Sequence, residues 1–344
     1  MLGWEDVVEP AVCDDPADVP TWREVGEERG LQGVGDPDAI HGGGGGVVVY
    51  DVDEDGDLDL MTNHSGIQQF YVREGDSYIR TGLEFQDARV ASVATLNGTP
   101  EFIMAGWPLR GWHIEGTSVV SRDLVDSTGE YLAAQGLFPS DIDGDGAVDF
   151  FVMQFSRTEA DSILWGVGDG QFISDLEAIP EGARGGLGFD AVWFDWDADL
   201  DLDLYVVNDQ GNVFLPNVML ENQDGTLVDV SAECLCGLGA SFMGGSAGDF
   251  DQDGIADLYL TESSGQALLH GGDGCFVDVA AAVGIENPTT PDMGWGATFL
   301  DVENDGDLDI LEARGDFWNA ETVPEVGDGG INRLFVQDAG PFSE

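Results

Sequence analysis

Short apolar runs recur along the chain, each directly behind a cluster of acids. Asp57 to Met61 reads DLDLM, Asp201 to Val207 reads DLDLYVV and Asp257 to Leu260 reads DLYL. Alternation of this kind sends successive side chains to opposite sides of an extended backbone, so these runs predict β-strands. A small-residue and apolar stretch also leads into the clusters: GGGVVVY before Asp51, GGSAG before Asp249 and MGWGATFL before Asp301. Farther on come another short apolar segment and a Gly-Asp-Gly-like turn with a strand behind it, as in GVGDGQFISD at 166–175, ENQDGTLVDV at 221–230 and HGGDGCFVDV at 270–279. Each unit therefore carries about four strands, and no stretch predicts a helix longer than a turn or two.

The acids between the first two strands of a unit follow one pattern, D-x-D-x-D-G-x-x-D. It stands at Asp51 to Asp59 (DVDEDGDLD), Asp141 to Asp149 (DIDGDGAVD), Asp195 to Asp203 (DWDADLDLD), Asp249 to Asp257 (DFDQDGIAD) and Asp301 to Asp309 (DVENDGDLD). An eroded sixth copy, Val93 to Glu101 (VATLNGTPE), keeps only the Asn-Gly turn and the closing acid. First positions at 51, 93, 141, 195, 249 and 301 give steps of 42, 48, 54, 54 and 52 residues. Four short strands per period of that length predict an all-β fold, a β-propeller with six blades favoured and seven as the alternative. A calcium-binding nonapeptide β-helix has a far shorter repeat. Residues 21–344 are read as one propeller domain behind an acidic leader, 1–20. Thr21 to Val25 (TWREV) resembles the last strand of a unit, and the final unit stops near Phe342 where such a strand would begin, so the N-terminal strand is expected to complete the blade built by Met293 to Val336.

Calcium takes six to eight oxygens, and carboxylates at alternate positions of a curled loop can converge on one ion. Positions one, three and five supply side chains, the glycine at six permits a positive φ, position seven offers its carbonyl, and the acid at nine returns from the next strand. The expected ligands are Asp51, Asp53, Asp55, Asp57 and Asp59; Asp141, Asp143, Asp145, Ala147 and Asp149; Asp195, Asp197, Asp199, Asp201 and Asp203; Asp249, Asp251, Asp253, Ile255 and Asp257; and Asp301, Glu303, Asp305, Asp307 and Asp309. Asp-Gly pairs also make plain hairpin turns. Five motifs in register, each crowding three or more like charges, favour a counterion. About five Ca2+ ions are expected, and none in the second unit. Leu200 stands where the other loops have glycine, so its loop is expected to be displaced or to bind more weakly.

Charge narrows the partners. Against 68 acidic residues stand 11 basic ones, all arginine, for a formal charge of −57. Nucleic acid and anionic membrane surfaces are excluded as natural partners, and no apolar stretch approaches the roughly 20 residues of a spanning helix. A 42% hydrophobic content provides for a large core. Calcium loops of this type suit roughly millimolar ion, which favours an extracellular, cell-surface or periplasmic setting. Met1 to Trp4 is followed at once by acids, without a basic region or apolar core, so the chain is read as lacking a signal peptide.

The units VYDVDEDGDLDLM, GDFDQDGIADLYL and FLDVENDGDLDIL, with GDGCFVDVAAAVGI between blades, resemble FG-GAP/VCBS repeats, and specifically the bacterial relatives of cartilage acidic protein. The resemblance runs from about Thr21 to the end. It implies a calcium-loaded, exported propeller of the sort that serves recognition in integrin heads, with no established catalysis. Leu200, Glu303, Val93, Thr95 and Asn97 depart from the pattern.

Other features are weaker. Cys13, Cys234, Cys236 and Cys275 allow three pairings, an oxidising compartment favours bridges, and Cys13 could tie the leader to the propeller. His41, His64, His113 and His270 are scattered and form no hydrolase spacing. The glycine run 42–46 lacks the lysine of a phosphate cradle and fits close packing near an axis; Arg314-Gly315-Asp316 is a chance tripeptide in so Gly- and Asp-rich a chain. The tryptophans are expected between blades. The functional reading is a binding or adhesion module for a protein or glycan. The alternatives are an enzyme using axial carboxylates such as Asp190 or Asp292, or a purely structural surface component.

Overall fold

A computed structural model describes residues 46–343 except 52, 54, 65–66, 76, 87–89, 97, 106–108, 116–117, 125–135, 169, 264, 273, 286–292, 303–304, 316–331 and 338–341. The leader, the closing strand Thr21 to Val25, Cys13, His41, Asp292 and Glu303 lie outside the described residues.

Every described element is a strand, and the strands form six antiparallel sheets in chain order. Blade 1 is β1 (Gly46–Tyr50), β2 (Asp59–His64), β3 (Ile67–Glu74) and β4 (Ser77–Gln86). Blade 2 is β5 (Val90–Leu96), β6 (Thr99–Ala105), β7 (Arg110–Glu115) and β8 (Ser118–Asp123). Blade 3 is β9 (Gly136–Ser140), β10 (Asp149–Met153), β12 (Ser162–Gly166) and β13 (Phe172–Asp175), with β11 (Phe155–Ser156) reaching across to the next sheet. Blade 4 is β14 (Gly186–Phe194), β15 (Asp203–Asp209), β16 (Val218–Gln223) and β17 (Thr226–Asp229). Blade 5 is β18 (Phe242–Gly248), β19 (Asp257–Glu262), β20 (Gln266–Gly272) and β21 (Cys275–Asp278). Blade 6 is β22 (Met293–Leu300), β23 (Asp309–Gly315), β24 (Arg333–Gln337) and β25 (Phe342–Ser343). This is the six-bladed propeller that the spacing predicts.

The second strand of a blade is the most buried. All of β10 and β15 and nearly all of β19 are inaccessible, because a neighbouring blade covers each face. Hence FFVM and LYVV are continuous apolar runs behind their opening aspartate. The core is accordingly a series of layers between blades. Phe194, Tyr205 and Met219 meet Phe242, Leu258 and Leu260 between blades 4 and 5, while Phe151 and Ile163 meet Leu204 and Val206 between blades 3 and 4. Trp193, Trp196 and Trp112 pack against such layers as expected. Burial at about 25 cal/mol per Å² of apolar surface makes these layers the main source of stability.

The innermost strands β14, β18 and β22 each bulge six residues before their acidic loop, at Phe189, Met243 and Trp295. The rings of Phe189 and Trp295, from blades 4 and 6, come within 6.2 Å of each other, and Phe155 stands edge-on to Phe189 at 5.0 Å. A Cβ on Gly244 would collide with the carbonyl oxygen of Trp295, so only glycine lets these inner strands approach. In each antiparallel blade the loop from first to second strand lies at the same end as the turn from third to fourth. The loops from second to third strand lie at the other end.

Candidate metal centres

In each acidic motif the carboxylate at position one accepts the backbone amide of position six, and in all but the Asp141 motif, where Asp145 donates to Asp143 at 3.1 Å, also that of position five. Asp51 accepts Asp55 at 3.1 Å and Gly56 at 3.0 Å, Asp249 accepts Asp253 at 3.0 Å and Gly254 at 2.9 Å, and Asp301 accepts Asp305 and Gly306 at 3.0 Å each. Asp141 accepts Gly146 at 3.1 Å. Position five in turn accepts the amide of position seven, as Asp145 does from Ala147 at 2.7 Å and Asp253 from Ile255 at 2.8 Å. These bonds curl the loop so that carboxylates face inward.

Position six has a positive φ throughout: +95° at Gly56, +86° at Gly146, +80° at Leu200, +90° at Gly254 and +95° at Gly306. At Leu200 the backbone keeps the turn of the other loops, with Asp195 accepting Asp199 and Leu200 at 3.2 Å each. The carboxylates that gather there, however, are those of positions one, three and five, whereas three of the other loops gather one, three and nine. Position four is left-handed as well, at Gly144, Ala198 and Gln252. The motif does not show this second turn, since the residues there differ.

Position nine has a double duty. One oxygen accepts the amide of position two and the other an amide of the third strand: Ile142 at 2.9 Å and Gly166 at 2.7 Å for Asp149, Trp196 at 2.8 Å and Asn222 at 2.8 Å for Asp203, Phe250 at 2.9 Å and Gly271 at 2.8 Å for Asp257. Asp309 does the same with Val302 at 2.8 Å and Gln337 at 3.0 Å. Asp59, Asp149, Asp203, Asp257 and Asp309 are all fully buried. Burial pushes the carboxyl of Asp203 up to about 7 against its backbone hydrogen bonds, and that of Asp257 up to about 6. Asp149 is raised by the same cause.

Ligand-capable oxygens of Asp51, Asp53 and Asp59 lie within 4.8 Å of one another, as do those of Asp141, Asp143 and Asp149, of Asp195, Asp197 and Asp199, and of Asp249, Asp251 and Asp257. Asp53 Oδ1 and Asp201 Oδ1 are buried without a hydrogen-bond donor, and burial raises both carboxyls, with neighbouring carboxylates adding to the shift. Orphaned carboxylate oxygens facing other carboxylates fit a hard cation. At position seven, Asp57 pairs with Arg73 at 3.5 Å, and Asp307 accepts Gln252 Nε2 from the neighbouring blade at 2.8 Å.

The eroded unit has no such loop. Leu96 pairs directly with Thr99 across a tight hairpin whose Gly98 has φ +80°. Its closing acid, Glu101, stays buried but is held by Arg122 of β8, at 2.6 Å to Nη2. An arginine has replaced the network of amides.

Each carboxylate loop thus opens a unit that ends in the second strand of the next blade. A family model described as an FG-GAP-like repeat matches in that register, at residues 141–206, 195–260 and 249–312. The chain belongs to this family. Among solved structures, an Agrocybe aegerita lectin described as recognising non-reducing terminal N-acetylglucosamine shares 15% identity at a TM-score of 0.48, over 84% of this chain and 79% of that one. The Photorhabdus luminescens Tc holotoxin pore shares 12% at a TM-score of 0.40, over 77% of this FG-GAP chain and 13% of its own. No curated protein matches.

Two further features lie away from the loops, the first at the opposite end of the blades. A cavity of about 270 Å³ opens between blades 3 and 4, lined by Ser156, Arg157, Thr158, Arg184, Gly185 and Phe214 among others. The Arg157 guanidinium lies 4.5 Å above the Phe214 ring, and Arg184 is held by the Leu176 carbonyl at 2.6 Å and by Glu177 at 3.2 Å. Asp161 clamps the rim by accepting Gln154 at 2.7 Å and Gly185 at 3.1 Å, and burial pushes its carboxyl up to about 6. Nearer the axis, Asp190 accepts the amides of Ala191 at 2.9 Å and Gly245 at 3.0 Å, tying blade 4 to blade 5, and burial brings its carboxyl to about 6. Cys234 is bonded to Cys236, and among the described residues Cys275 has no disulfide partner.

Proposed function

We propose that this FG-GAP protein is a calcium-stabilised binding or adhesion module, exported to an extracellular, cell-surface or periplasmic setting, that recognises a protein or glycan. The observation that carries the reading is the separation of its two ends. Carboxylate loops occupy one end, where about five Ca2+ ions would brace the blades and the second unit would hold none. The other end carries the cavity between blades 3 and 4, concave, part apolar, and furnished with two arginines, two hydroxyls and an aromatic ring. Charge-assisted hydrogen bonds from Arg157 and Arg184 suit a carboxylate or a ring of hydroxyls on the ligand. The Cys234–Cys236 bridge supports an oxidising compartment.

A glycan and protein array probed with and without calcium tests this. A ligand bound only in calcium, and lost more than tenfold in Arg157→Ala and Phe214→Ala at unchanged melting temperature, is the expected result. A bare array in both conditions overturns the binding reading; undiminished binding by both variants moves the site away from this cavity.

A further inference from the structure

We propose that the loop of blade 5, Asp249 to Asp257, is a mixed nitrogen and oxygen site that takes a first-row transition ion of the zinc class, unlike the all-oxygen loops of blades 1, 3, 4 and 6. The proposal builds on the reading that these loops hold cations, but assigns one of the five to a different ion, which leaves about four loops for calcium.

The distinguishing residue comes from the third strand. Leu258 of β19 pairs with Leu269 of β20, and the next residue, His270, stands over the loop. The corresponding pairs are Leu60 with Tyr71, Phe150 with Leu164, Leu204 with Leu220 and Ile310 with Phe335. The residues that follow them are Val72, Trp165, Glu221 and Val336. Blade 2, which has no acidic loop, carries His113 in this register, so blade 5 alone among the loop-bearing blades presents an imidazole to a carboxylate loop.

His270 Nε2 lies 2.8 Å from Asp251 Oδ2 and 3.9 Å from Asp253 Oδ2, and the three ligand atoms lie within 4.8 Å of one another. A tetrahedral ion with ligands at about 2.0 to 2.1 Å needs them about 3.3 Å apart, a spacing bracketed by these two distances. The edge of Phe250, at 6.0 Å between ring centres, holds the imidazole in this direction. The side chains of His270, Asp251 and Asp253 are each about one-third exposed, at 32%, 35% and 37%, so an ion has access. A neutral imidazole nitrogen is a good donor to zinc, cobalt, nickel or copper and a poor one to calcium, which selects oxygen. Asp251 and Asp253 supply two carboxylates from positions three and five, and water can complete the shell.

The test uses Co2+ as probe, since its visible bands report nitrogen and oxygen ligation. In protein held at millimolar calcium, one Co2+ per chain is expected to bind, to be displaced by Zn2+, and to broaden the His270 ring proton resonances. His270→Val, which places in blade 5 the residue of blades 1 and 6, should keep the calcium-loaded melting temperature and bind Co2+ at least tenfold more weakly. Equal Co2+ affinity in the variant, or release of Co2+ by millimolar calcium, overturns the proposal. Calcium counted separately by elemental analysis judges the other loops: no calcium there defeats the calcium reading and leaves the cobalt result standing on its own.

Discussion

The carboxylate of Asp257 accepts the amide of Gly271 at 2.8 Å and fastens an acidic loop to the third strand of its own blade. That bond makes a cation site and a sheet register one object. In the metal-free protein, burial raises Asp203 to about 7 and Asp257 to about 6, well above the ordinary carboxylate range near 4. A native group that holds its proton more tightly than the unfolded chain does contributes stability that is full below about pH 4 and is lost as pH rises through its native value. Calcium-free protein is therefore expected to melt at progressively lower temperature from pH 4 to pH 7. Calcium-loaded protein should show the reverse slope, because the ion needs the ionised form. At pH 7, excess EDTA should lower the melting temperature by many degrees, since each carboxylate pair at ~4 Å costs about 1 to 4 kcal/mol without its counterion. Parallel pH profiles with and without calcium would count against this account.

Leu200 combines φ +80° with 91% exposure, so its side chain contributes no packing to offset the left-handed backbone. Leu200→Gly is expected to raise unfolding free energy by up to about 1 kcal/mol, the left-handed penalty less the entropy cost of glycine. Urea titration in calcium measures it, and a loss of stability would refute the strain argument.

In the second unit, Arg122 neutralises a Glu101 side chain that is only 2% exposed. Removing the arginine strands a buried charge. Arg122→Ala is expected to cost about 3 kcal/mol, and the double change Arg122→Leu with Glu101→Leu to recover much of it. Additive losses in that cycle would show that the pair is not coupled.

Two glycines separate close approach from mere turn chemistry. A Cβ on Gly244 meets the backbone of Trp295 and Gly296 in the next blade, whereas one on Gly272 meets nothing within 4 Å. Gly244→Ala should destabilise by about 2 kcal/mol or more, and Gly272→Ala should stay within ~0.5 kcal/mol. Equal melting temperatures would mean that the inner strands can separate freely.

The blade count and the five loops were legible because strand alternation and carboxylate spacing are local and repeated. The hairpin that replaces the second loop was legible too, from the Asn-Gly pair at 97 and 98. Three things were not. Left-handed Ala198 and Gln252 give no local sign, since the loop network and not their own preference sets them. The approach of His270 to Asp251 spans 19 residues and depends on the β19–β20 register, so the histidine looks isolated along the chain. The cavity at Arg157 and Phe214 joins two blades through a ring contact whose partners are 57 positions apart. Its residues share no spacing that the repeat preserves.

Every carboxylate loop joins the first strand of a blade to the second, and so all five crowd one end of the ring. A body loaded in this way has a preferred heading. In an external field, or near a cationic surface within a Debye length of about 8 Å, it is expected to turn its loop end toward the positive side and leave the cavity facing solution. Divalent ions that occupy the loops remove much of that torque. The ions expected to brace the blades would then also decide how freely the ring tumbles at a charged boundary, and which of its two ends an approaching partner meets first.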